Sequence, residues 1–325
     1  MRARILELLR RHSGNYVSGE EISQGLGVSR TAVWKHMREL KHSGYIIEAH
    51  PRRGYTLIQA PDALLPDEIR TRLNSSILGR EIRYFDSLES TNNEAKKFAA
   101  EGCPEGLLVV TECQNSGRGR LSRGWFSPAG KGIWMSVVLR PPFSPQEAPK
   151  CTLMAAVAVN NAIREIAQIN SGIKWPNDIL YNGRKLVGIL TEMSAEMDAI
   201  NYVVIGIGIN VNIDVSEFPE ELSAIATSVS AEVGSKIDRV GLLSAILKHL
   251  EKSYTEAIQN GFGRLLDEWR AQSITLGQEV DVIGSNRKFS GTAVNIDDDG
   301  ALLVKKGDTL ERVLAGDVSI RPSAK

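Results

Sequence analysis

Three cysteines in 325 residues, Cys103, Cys113 and Cys151, are odd in number and show no C-x-x-C spacing, which argues against a disulfide framework or a zinc site. They are expected to be reduced and structural. No apolar run reaches the roughly 18 residues of a membrane span, and the N-terminus has no signal-peptide apolar core. The expectation is therefore a cytoplasmic chain with no membrane partner. Net charge is missing as well, since 39 Lys/Arg balance 39 Asp/Glu, and by itself this argues against nucleic acid. The two signs are unevenly placed, however. Residues 1–60 carry ten Lys/Arg against five Asp/Glu and four of the five His, so a segment of +5 precedes a remainder of −5. A basic head on an acidic body suits a DNA-reading module joined to an enzyme or sensor. The length suggests two or three domains.

The head has the punctuation of a helix-turn-helix. Arg4 to Arg10 has helical spacing, Ser18 precedes Glu20 and Glu21 as an N-cap does, Gly25 to Ser29 supplies a tight turn, and Ser29 caps a third helix from Arg30 to Leu40. Ala32, Val33, Met37 and Leu40 should face the core. Arg30, Thr31 and Trp34 then approach base edges, and Lys35 and Arg38 approach phosphates. Two short strands, 45–49 and 54–58, joined by His50-Pro51-Arg52-Arg53, read as a basic wing. Small three-helix units also dock proteins, but basic residues on both helix and wing favour DNA. Pro61 and Pro66 mark the linker, with domain boundaries expected at 63/64 and 271/272.

In the body, a long loop from Glu112 to Trp125 lies between two apolar strands and alternates Gly117, Gly119 and Gly124 with Arg118, Arg120 and Arg123. Glycine lets backbone approach a bound group, and the guanidinium fork fits carboxylate or phosphate. A solvated basic loop is the plainer alternative. Ser90-Thr91-Asn92 stands at a strand-to-helix corner, where an ordinary N-cap would account for one polar residue but not three. Asn182-Gly183 between apolar runs signals a hairpin and puts Lys185 at the start of the return strand. A lysine at a strand end is usually solvated. Here the glycine-spaced strands at 187–189 and 204–210 could let a ligand lie against backbone, which makes Lys185 a catalytic candidate.

With these motifs in order, together with Lys174-Trp175-Pro176-Asn177-Asp178, Arg184 to Leu190 and Gly206-Ile207-Gly208-Ile209-Asn210, the chain resembles the biotin-protein ligases. With the winged helix in front it looks like their bifunctional bacterial form, the biotin operon repressor. The resemblance implies an α+β multidomain protein: a winged helix-turn-helix, a central mixed sheet with helices like the class II synthetases, and a C-terminal SH3-like β-barrel. Four stretches, 277–282, 290–294, 300–304 and 313–318, read as barrel strands. One departure is local: the family loop often runs Gly-Arg-Gly-Arg-Arg-Gly-Arg, whereas Leu121-Ser122 separates Arg120 from Arg123 here.

The implied activity is ATP-dependent ligation of biotin, through biotinyl-5'-AMP, to a lysine of a biotin carboxyl carrier protein, coupled to repression at operator DNA by a homodimer that forms when liganded. Lys185, Arg118 and Arg120 are the implied catalytic cations. Biotin would meet Ser90, Thr91, Asn92, Gln114, Arg118, Gly119, Arg120 and Lys185. The adenylate would meet Arg118, Arg120, Arg123, Trp125, Asn177 and Asn210. Mg2+ would sit at Asp178, and Trp125 and Trp134 would wall the pocket. DNA would meet Arg30, Thr31, Trp34, Lys35, Arg38, Arg52 and Arg53. The competing readings are a transcription factor that only senses a small molecule and a lipoate-protein ligase.

Overall fold

The structure is a computed structural model that describes residues 1–284, 288–315 and 318–322. The chain separates into two units, Met1–Leu73 and Asn74–Lys325.

The first unit contains helices α1 (Arg2–Arg11), α2 (Gly19–Leu26) and α3 (Arg30–His42), strands β1 (Ile46–His50) and β2 (Gly54–Gln59), and helix α4 (Pro66–Arg72). The expected caps form: Ser18 Oγ accepts from Glu21 N at 3.0 Å and Ser29 Oγ from Ala32 N at 3.2 Å. Val33, Met37 and Leu40 on α3 join Ile5, Leu6, Leu9 and Ile22 in the core, whereas Ala32, expected there too, is half-buried and lies with Thr31, Trp34 and Lys35 on the outer side of the helix. Helix α4 departs from the sequence reading, which ends the head at residue 63. Its Glu68 is 1% exposed and accepts from Arg10 Nη2 at 2.6 Å on each oxygen and from Tyr45 Oη at 2.7 Å. A carboxylate buried this deeply needs such partners. They belong to the winged helix, so α4 stands with the head.

The second unit is built on a seven-stranded sheet. In chain order its elements are β3 (Ile82–Phe85), α5 (Thr91–Ala100), β4 (Leu108–Thr111), β5 (Gly132–Leu139), α6 (Ala148–Ala167), β6 (Gly172–Lys174), β7 (Asp178–Tyr181), β8 (Arg184–Ala195) and β9 (Ile200–Asn210). Helices α7 (Glu220–Ser223), α8 (Val229–Val233), α9 (Arg239–Asn260) and α10 (Gly263–Gln272) follow. The strand order is β3-β4-β5-β9-β8-β7-β6, with β3 parallel to β4 and the other pairs antiparallel. Asn182 and Gly183 both take positive φ between β7 and β8, as the hairpin signal requires. Just after the head, Glu251 on α9 gathers the chain at 75–78. Its carboxylate accepts from Ser76 N and Oγ (2.7 Å each), Ile77 N (3.0 Å) and Leu78 N (2.8 Å), and also from the Ser75 hydroxyl. Burial pushes this carboxyl up, but those donors outweigh it and hold it at about 2.

The C-terminal sheet has five antiparallel strands, β10 (Glu279–Gly284), β11 (Lys288–Ile296), β12 (Leu302–Lys306), β13 (Thr309–Val313) and β14 (Val318–Pro322), in the order β13-β12-β11-β10-β14. The sequence pattern gives four strands and takes 313–318 as the last. In the structure that stretch connects two strands, and its Gly316 and Asp317 lie outside the described residues. Trp175 docks this sheet on the central one: its Nε1 donates to Gly300 O at 3.1 Å and its N to Thr275 Oγ1 at 2.9 Å. Among the described residues no helix is long and apolar enough to cross a membrane.

Candidate functional site

The site begins with missing side chains. Gly206 and Gly208 are two apart on β9 and share a face, and Gly188 of β8 pairs with Gly208. A bare patch of backbone results in the middle of the sheet. Asn92 lies on Gly206, where an added Cβ would come within 2.0 Å of its Oδ1. Trp125 lies on the other two glycines, with Cζ3 2.7 Å from a Cβ built on Gly188 and Nε1 2.4 Å from one built on Gly208. Behind it stands Trp134, edge-on at 6.5 Å. The sequence reading makes both tryptophans pocket wall. Trp125 lines the cavity, whereas Trp134 is 0% exposed, supports Trp125 from behind and is not part of the lining.

Around this patch is a cavity of about 600 Å³. Ser90, Thr91, Asn92, Gln114, Arg118, Gly119, Arg120, Arg123, Trp125, Asn177, Asp178, Lys185 and Asn210, all singled out in the sequence, line it together. At the polar end, Ser90 is the N-cap of α5 yet makes no side-chain cap bond. Gln114 supplies the acceptor instead, as its Oε1 accepts from Thr91 N at 2.9 Å and its Nε2 donates to Ser127 Oγ at 3.0 Å. Asn92 is 4% exposed and ties α5 to β8 and β5: its Nδ2 donates to Leu190 O (3.1 Å) and Glu192 Oε2 (2.8 Å), and its Oδ1 accepts from Ser136 Oγ (2.6 Å).

At the cationic end, Lys185 Nζ lies 2.7 Å from Asp178 Oδ1 and 5.1 Å from the centre of the Trp125 ring. Its backbone is fixed by Lys185 N to Ile225 O (2.8 Å) and Thr227 N to Lys185 O (3.0 Å). Arg120 donates from Nη1 to Asn177 Oδ1 at 3.1 Å and from Nη2 to Ala315 O, just past β13. Arg118 bonds Asn93 Oδ1 and stands 3.7 Å from Glu192 Oε1. Burial raises the Glu192 carboxyl, but hydrogen bonds from Lys96 and Asn92 and the charges of Lys96 and Arg118 overcome this and hold it below the ordinary value. The loop's Leu121 and Ser122 both take φ of 56°, a left-handed conformation that costs most side chains.

Two expected ligand contacts, Asn177 and Asn210, line the cavity and are also tied to backbone. Asn177 Nδ2 donates to Ile189 O at 2.9 Å, and Asn210 Nδ2 donates to Thr227 O at 3.1 Å. Asp178, expected to hold a magnesium ion, lines the cavity with its Oδ1 2.7 Å from Lys185 Nζ. Sequence reasoning misses Ser136, Glu192 and the 218–226 segment that closes one side through Phe218, Leu222, Ile225 and Ala226. Ser136 has a signal, being the one hydroxyl inside the apolar strand Gly132–Leu139.

On the head, Arg30, Thr31, Trp34, Lys35 and Arg38 are all exposed on α3, and Arg52 and Arg53 on the wing. Arg38 stacks over Trp34 at 5.2 Å, and Arg53 over Tyr16 at 4.2 Å.

Comparison with known proteins matches residues 84–210 to the Biotin/lipoate A/B protein ligase family, residues 2–56 to an HTH domain and residues 275–321 to the Biotin protein ligase C terminal domain. The chain is 45% identical over 320 residues to the Bifunctional ligase/repressor BirA of Bacillus subtilis (strain 168), covering 98% of each. It is 28% identical over 313 residues to the protein of the same name from Escherichia coli (strain K12), covering 96% of this chain and 95% of that one. Among solved structures, a biotin protein ligase from Aquifex aeolicus in complex with biotin and ATP superposes with a TM-score of 0.66 at 28% identity, covering 75% of this chain and 100% of that chain.

Proposed function

The chain belongs to the biotin protein ligases in their bifunctional ligase/repressor form, and from that premise we propose how its residues carry out ligation and repression. It activates biotin with ATP and transfers it to a lysine of a biotin carboxyl carrier protein, and it represses transcription through its helix-turn-helix. The observation that carries the ligase reading is the convergence of Lys185, Arg118, Arg120 and Arg123 on one cavity beside the glycine patch that Trp125 and Asn92 cover.

A carboxylate does not acylate an amine unaided. In the first step a carboxylate oxygen of biotin attacks the α-phosphorus of ATP, and pyrophosphate leaves. Two anions must meet, so fixed cations aimed at the developing charge lower the barrier. Lys185 takes that position, bridging the carboxylate and α-phosphate oxygens, and Arg118, Arg120 and Arg123 close over the phosphate. In the second step the acceptor ε-amine attacks the acyl carbon, AMP leaves and the amine gives up a proton. Ser90, Thr91, Asn92 and Gln114, with backbone near Gly119, offer polar partners for the ureido ring in a slot that is otherwise apolar. Trp125 stacks at the nucleotide end, and Asn177 and Asn210 hold the strands on which the adenylate rests. Magnesium would neutralise pyrophosphate charge, and Asp178 is the cavity carboxylate that would hold it.

The loop from Glu112 to Trp125 shields the anhydride from water when it closes. Closure presents an ordered surface on which two chains pair, and a pair of winged helices meets two half-sites. Biotinyl-5'-AMP therefore acts as the corepressor of a cytoplasmic homodimer. Arg30, Thr31, Trp34, Lys35, Arg38, Arg52 and Arg53 form the DNA-contacting set. The proposed domains are a winged helix carrying α4, a catalytic domain and the SH3-like C-terminal domain.

The test of the ligase is incubation with biotin, ATP, Mg2+ and an acceptor domain, read by intact mass and repeated with Lys185→Ala. Acceptor biotinylated by wild type alone supports the reading, and equal rates for both proteins overturn the role of Lys185. The test of the switch is footprinting on the protein's own operator with and without biotin plus ATP. Equal protection in both conditions removes the switch and leaves the ligase standing.

A further inference from the structure

We propose that Trp34 selects DNA by packing against the 5-methyl group of a thymine in each half-site. The inference rests on the DNA-binding reading above and sharpens it from a surface to a base.

Helix α3 is filled on its inner side by Val33, Met37 and Leu40. Trp34 therefore has no place in the core, and 52% of it is exposed. A large apolar ring in that position is out of keeping with its neighbours, because Arg30, Thr31, Lys35 and Arg38 around it are all polar and exposed. Arg38 stacks over the ring at 5.2 Å. Arg38 keeps its in-plane donors for phosphate. Arg30 is exposed, with Glu20 3.7 Å away. Trp34 is left as the apolar group that projects from the N-terminal half of α3, the part of a recognition helix that reaches base edges.

The indole edge is carbon except for one N–H. In the major groove, guanine and adenine present nitrogen and oxygen atoms and cytosine presents an amine, whereas thymine alone presents a methyl group. A carbon edge gains most from the base that offers carbon. The discrimination is that of one buried methyl group, about fourfold in affinity.

The experiment uses the full chain with biotin and ATP to enrich duplexes from a random-sequence pool. The winning duplex is then resynthesised with uracil in place of thymine at one position at a time, which removes only the methyl. Dissociation constants are measured by fluorescence anisotropy for wild type, Trp34→Ala, Trp34→Phe and Arg52→Ala. Wild type is expected to lose about fourfold at one thymine per half-site. Trp34→Ala binds the thymine and uracil duplexes equally, Trp34→Phe keeps part of the ratio, and Arg52→Ala binds more weakly throughout with the ratio unchanged. Wild type indifferent to every substitution overturns the proposal, as does a ratio that persists in Trp34→Ala. A pool that never enriches overturns the DNA-binding reading itself.

Discussion

Lys185 Nζ is 2.7 Å from Asp178 Oδ1, so the cation assigned to biotin's carboxylate already has a carboxylate beside it. The two acids compete for one ammonium. Lys185→Ala should slow biotinyl-5'-AMP formation by about 10²- to 10³-fold, the usual loss when a charge-stabilising group is removed. Asp178→Asn should instead tighten biotin binding, because the competitor becomes neutral. Pyrophosphate release checks the first and calorimetric titration with biotin the second. Weaker biotin binding by Asp178→Asn would show that the aspartate positions the lysine rather than competing for it.

Trp125 occupies the bed formed by Gly188 and Gly208, and its Nε1 is buried without a hydrogen-bond partner among the described residues. A ligand drawn onto the same backbone must change that environment. Biotin plus ATP should therefore shift the tryptophan emission of wild type, and Trp125→Phe should remove most of the shift although four other tryptophans remain of the five. Gly208→Ala forces the ring off its bed, because the new methyl would lie 2.4 Å from Nε1. That variant should lose ligand-dependent fluorescence and also melt at lower temperature.

Leu121 and Ser122 share a left-handed conformation at the point where this loop departs from the Gly-Arg-Gly-Arg-Arg-Gly-Arg pattern. Glycine at 122 would relieve strain of roughly 1 kcal/mol. Ser122→Gly is expected to slow release of bound biotinyl-5'-AMP up to about fivefold, if the relief appears in the closed state. Retention of radiolabelled intermediate on a desalting column measures it. Faster release would mean that the freed chain favours the open loop.

Glu251 holds its carboxyl at about 2 by gathering the donors of residues 75–78. A carboxyl whose value is depressed on folding stabilises the native state above its unfolded value, near 4.3, and loses that contribution as pH falls toward 2. The unfolding midpoint should thus drop between those limits in wild type and change less there in Glu251→Gln. Parallel curves for the two proteins would remove Glu251 from the acid response.

Much of this molecule is readable from local chemistry alone. Ser18 and Ser29 cap helices because their hydroxyls meet nearby amides, and Asn182-Gly183 turns because both residues tolerate positive φ. These are interactions between residues a few positions apart, and sequence displays them. The convergence of Ser90, Gln114, Arg120 and Lys185 on one cavity is legible only through the family motifs. Glu192 holding Asn92 and Lys96 across about a hundred residues, and Trp125 lying on glycines of two other strands, depend on the sheet's order. No periodicity announces them. The approach of Lys185 to Asp178 likewise depends on the β7–β8 hairpin.

Helix α4 has a practical bearing. Because Glu68 is sealed under Arg10 and Tyr45, a DNA-reading fragment cut at residue 63 discards one wall of its own interior and strands an arginine and a phenol without their acceptor. Cutting after Leu73 keeps that wall. An investigator who wants the head by itself should leave ten more residues on its tail than the prolines suggest.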